Sequence, residues 1–81
     1  MAFLTPSKEE EILDELKSLA QLLGLEVTDS ARFPTVMVRV AVDGHSSSIT
    51  KQGDAFFASE VLPDVPMTPA GTGLFSYRLE I

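Results

Sequence analysis

The only imidazole in the sequence stands beside a carboxylate and three hydroxyls, in Asp43-Gly44-His45-Ser46-Ser47-Ser48. These are the residue types of a Ser–His–Asp relay, in which the imidazole takes a proton from the attacking hydroxyl. Their spacing opposes that chemistry. The members of a relay converge from separate elements, whereas neighbours along a turn and strand point alternately to opposite faces. Asp-Gly is also a strong hairpin signal, because a type I′ turn needs positive φ at both central residues. The segment reads as a polar hairpin tip, and no catalytic residue is assigned.

Metal and phosphate chemistry find no better footing. The chain has no cysteine, which removes thiolate metal sites, disulfides and thiol nucleophiles. Glu9, Glu10, Glu11, Asp14 and Glu15 cluster within two helical turns. They read as a helix start matched to its dipole and as a solvated face. Ala70-Gly71-Thr72-Gly73 has the glycines of a phosphate cradle, yet no lysine follows and no helix begins there. That stretch reads as a joint into the last strand. No cofactor or metal is expected, and the chain is read as not an enzyme.

Two further segments bear on partners. Pro63, Pro66 and Pro69 recur at every third residue, the period of a polyproline II helix. No arginine or lysine flanks them, so the segment reads as a rigid crossing between strands. Phe56-Phe57 is more informative. Adjacent strand residues face opposite sides, so only one ring joins a core beneath a single helix.

The elements that position these residues follow from periodicity. Thr5-Pro6 supplies an N-cap and a first-turn proline, with Ser7 and Glu10 as a rival capping box. Ile12, Leu13, Leu16, Leu19, Ala20 and Leu23 form one apolar stripe, and Gly24 follows as a left-handed stop. A helix is expected over about 6–23. Leu25-Glu26-Val27 suits a short strand, and Asp29, Ser30 and Pro34 mark a connection. Val36, Val38, Val40 and Val42 then alternate with Met37, Arg39 and Ala41. Residues 46–51 return as a polar, exposed or edge strand pinned by Ile49, and residues 55–62 form a third. After the loop at 63–73, Phe75, Tyr77, Leu79 and Ile81 face the core, with Ser76, Arg78 and Glu80 outward.

The expected fold is a single α+β domain over residues 1–81. It has two layers, an N-terminal amphipathic helix packed on an antiparallel sheet of three to five strands. One helix covers one sheet face. Apolar residues on the other face are then left for a partner, unless residues 1–4 or the proline loop fold over them. The residues expected to bind a partner are Met37, Arg39, Phe56, Phe57 and Arg78.

Charge narrows the partner. Twelve acidic side chains stand against six basic ones, a net charge of −6. That balance does not capture nucleic acid or an anionic membrane, which need clustered basic residues. No run of apolar residues is long enough for a membrane span, and no signal peptide is visible. A cytoplasmic location is expected. No motif is specific enough to name a family. The function expected is a non-enzymatic protein-binding module, a small adaptor, inhibitor or chaperone-like subunit, acting as a homodimer or within a complex. The alternative is a small-ligand or metal-binding regulatory domain built on the 43–48 tip or the proline loop.

Overall fold

The computed structural model describes residues 5–71 and 73–81. Helix α1 spans Pro6–Leu22. The Thr5 hydroxyl accepts from the Lys8 N–H at 3.2 Å, so Thr5 is the cap in use and the Ser7 alternative is not. At the other end the Leu25 N–H reaches the Ala20 carbonyl at 2.8 Å, and the Gly24 N–H reaches that of Gln21 at 3.1 Å. This is a Schellman motif. It requires the φ of +74° that Gly24 adopts at no steric cost.

Six strands follow: β1 Glu26–Ala31, β2 Met37–Val42, β3 His45–Gln52, β4 Ala55–Ala58, β5 Met67–Pro69 and β6 Tyr77–Leu79. They form one sheet of order β1-β2-β3-β4-β6-β5, antiparallel at every pairing. The fold is α+β, one helix against an open antiparallel sheet. Two tight hairpins set its register. Asp43 and Gly44 both take positive φ, which pairs Val42 with His45, and the turn at Gly53 pairs Gln52 with Ala55.

The count of six exceeds the three to five expected because β5 joins one edge, and β1 at the other edge runs past the expected 25–27. Asp29 and Ser30 belong to β1, where a bulge between Val27 and Asp29 lets the chain regain register with β2. Met67–Pro69, within the proline loop, pairs beside β6. Pro69 is tolerated there because β5 is an edge strand. The loop therefore extends the sheet in its own plane.

One face of the sheet lies under α1. Leu13, Leu16, Leu19 and Ala20 from the helix meet Val38, Val40, Ile49, Ala58 and Leu79 from the strands, and Val36, Leu62 and Val65 complete the buried set. Leu23 and Tyr77, expected in this core, are half-buried, as is Phe75, and Ile81 beyond the last strand is exposed. Among the described residues no helix is long and apolar enough to cross a membrane.

Strand β3 departs furthest from expectation. It is interior to the sheet, and Ser47 and Thr50 are buried. Their hydroxyls are satisfied by backbone. Thr50 Oγ1 donates to the Val36 carbonyl at 2.8 Å, and Ser47 Oγ accepts from the Glu60 N–H at 3.0 Å and donates to its carbonyl at 3.1 Å. A small hydroxyl bonded in this way costs little to bury. The Ser47 clasp also ends β4 at Ala58, four residues short of Leu62, by turning the chain at Ser59-Glu60. Ser47→Ala strands the Glu60 amide and is expected to cost about 1–3 kcal/mol. Urea unfolding measures that cost, and faster hydrogen exchange at Glu60 locates it.

Candidate functional site

Register assigns every strand residue to a face. Directly opposed residues in an antiparallel ladder share a face, and neighbours along a strand do not. Val38 pairs with Ile49, which pairs with Ala58, and all three are buried on the helix side. Lys51 follows Ile49 on that side and pairs with Phe56. Phe56 accordingly packs against the core, with the Lys51 ammonium 6.0 Å from its ring centroid. Phe56 is thus the ring on the core side of the sheet.

The opposite face carries the other four residues expected to bind a partner. Met37 pairs with Thr50, Thr50 with Phe57, and Phe57 with Arg78, so one row crosses four strands. Arg39, two residues beyond Met37, lies in the next row opposite Asp29 and Ser48. Met37 and Phe57 are half-buried, and Thr50 between them is wholly buried. Arg39 and Arg78 are exposed. Of the two covers considered for this face, the proline loop lies in the sheet plane, and residues 1–4 lie outside the described residues.

Thr50 is the member of this row that sequence reasoning missed. A signal for it existed. The Asp43-Gly44 turn fixes Met37 opposite Thr50, and the Gly53 turn fixes Thr50 opposite Phe57. The largest exposed apolar side chains lie elsewhere, with Phe33 and Leu74 in connections and Leu22 at the helix end. Isolated apolar residues of this kind are ordinary on protein surfaces.

The charged groups divide between the faces. Lys8, Arg32 and Lys51 pair with Glu11, Glu10 and Glu15 of the acidic helix. Lys51 Nζ lies 2.6 Å from Glu15 Oε2. That hydrogen bond, helped by the charges of Glu15, Asp54 and Glu11, raises the Lys51 ammonium above its ordinary value of 10.5 against a smaller desolvation effect. A raised folded pKa means the pair stabilises fully at neutral pH and is lost as pH climbs past 10.5. Lys51→Met is expected to flatten the alkaline arm of the stability profile, measured by thermal unfolding across pH 9–12, an interval of roughly this width around the ordinary lysine range.

The hairpin tip does not assemble a relay. His45 is exposed and pairs with Val42, Ser46 and Ser48 point to the other face, and Ser47 is committed to the Glu60 backbone. A polar cleft of about 190 Å³ does open nearby, lined by Thr28, Arg39, Ser46, Ser47, Ser48, Ser59 and Glu60. Among the described residues no group of three His, Asp or Glu side chains is placed to hold a metal ion. Compared with protein-family models, curated proteins and solved structures, the chain matches none.

Proposed function

We propose that this chain is a non-enzymatic protein-binding module whose contact surface is the sheet face opposite α1. One observation supports the reading above the others. Strand register gathers Met37, Thr50, Phe57 and Arg78 in one row, with Arg39 beside it, on the face that α1 does not cover. Half-buried Met37 and Phe57 with exposed arginines at the margin are residue types that protein interfaces favour. Such a module works as an adaptor, an inhibitor or a chaperone-like subunit by occupying a partner's surface. A chain without cysteine suits the reducing cytoplasm.

The test is selection of a displayed random-peptide library on the immobilised protein, with Phe57→Ser as the counter-target. Peptides enriched on wild type and rejected by Phe57→Ser support the reading. Peptides that bind both equally, or no enrichment, contradict it. The cleft beside Ser46–Ser48 favours a second reading, a small polar ligand held by Arg39 and the surrounding hydroxyls. That ligand would leave Phe57 and Arg78 untouched.

A further inference from the structure

We infer that the occupant of this face is an extended segment of another protein, apolar in its centre and flanked by carboxylates. The inference rests on the protein-binding reading above. It starts from two arginines that are left without partners in an acid-rich chain. Among the described residues Arg39 and Arg78 form no ion pair, although acids outnumber bases two to one. Among the described residues Lys17, on the exposed side of α1, is the other base with no ion pair.

Two carboxylates share this face with the arginines, and each has one oxygen in a hydrogen bond to another group. Asp29 stands directly opposite Arg39 in the ladder, yet its Oδ1 accepts from the Ser30 N–H at 2.8 Å. Glu80 follows Arg78 on the same face, yet its Oε1 accepts from the Thr68 hydroxyl at 2.7 Å. Among the described residues neither guanidinium forms an ion pair, Arg78 standing at the end of the Met37–Thr50–Phe57 row and Arg39 beside its start. A carboxylate matches the geometry of the guanidinium fork.

Geometry fixes the spacing. Arg39 and Arg78 lie three strand intervals apart across the sheet and two residues apart along it. That places them about 16 Å apart, which an extended chain spans in about five residues. The occupant thus presents two acids about five positions apart with apolar side chains between them. A second copy fits poorly. Two-fold pairing brings four guanidiniums and two chains of charge −6 to one interface, and like charges across an interface are costly.

The experiment uses two labelled decapeptides in fluorescence anisotropy. One carries glutamates five positions apart around leucine and valine, and the other has lysines in their place. The glutamate peptide is expected to bind at least about tenfold more tightly, with an affinity that falls as salt rises. Arg39→Glu and Arg78→Glu, both at exposed positions, should each reverse that preference with circular dichroism unchanged. Equal binding of both peptides, lost in Phe57→Ser, overturns the charge inference and leaves the face as the contact surface. Binding of neither peptide overturns it, as does a wild-type dimer in light scattering that Phe57→Ser dissociates. Binding that survives Phe57→Ser overturns the face itself.

Discussion

Leu16→Ala is expected to lower the free energy of unfolding by about 2–5 kcal/mol. Leu16 is wholly buried, at the middle of the stripe that α1 lays on Val38, Val40 and Ile49. Truncation removes the transfer free energy of its side chain and leaves a cavity that a sheet with fixed register cannot close. A domain of this size has only a few kcal/mol to lose. Urea denaturation followed by circular dichroism measures the change. A midpoint equal to that of wild type would mean that the stripe is not what joins helix to sheet.

The paired substitutions Phe56→Ser and Phe57→Ser are expected to separate stability from binding. Phe56 packs on the core and lies under the Lys51 ammonium, so its loss should cost about 2–3 kcal/mol. Phe57 is half-buried on the face opposite α1, and its loss should cost about 1 kcal/mol while removing the ring of the contact row. Thermal unfolding gives the order of stabilities, and anisotropy with the glutamate peptide gives the order of affinities. The reverse order in both would place the rings on exchanged faces.

The asymmetry between these rings illustrates how far the sequence reaches. Strand alternation alone divides Phe56 from Phe57, but which one lies under the helix depends on the register of β3 against β4. The helix was legible to its caps, because Thr5, Pro6 and Gly24 act through local backbone geometry. The first hairpin was legible because Asp43-Gly44 specifies its turn. Strand β3 was not. Its serines and threonine read as solvated, and they are buried through bonds to Val36 and Glu60, residues that only the fold brings near. The same clasp shortens β4, which composition alone extends to Leu62. Edge strand β5 and the second half of β1 were hidden by residues that also mark turns, Pro69 in one and Asp29-Ser30 in the other. For the candidate site, residue types placed Met37, Arg39 and Arg78 correctly on their strands' outward faces. That the two arginines form no ion pair among the described residues is set by side-chain placement in the fold, which spacing does not reveal.

The most direct test of the binding face is nuclear magnetic resonance of the isotope-labelled chain titrated with the glutamate peptide. Amide shifts are expected along the strand positions of Met37, Arg39, Ser48, Thr50, Phe57 and Arg78, with the exposed side of α1 around Asp14 and Ser18 unmoved. Shifts confined to α1, or to Ser46, Ser47 and Glu60 at the polar cleft without Phe57 and Arg78, would contradict a binding surface on the open sheet face.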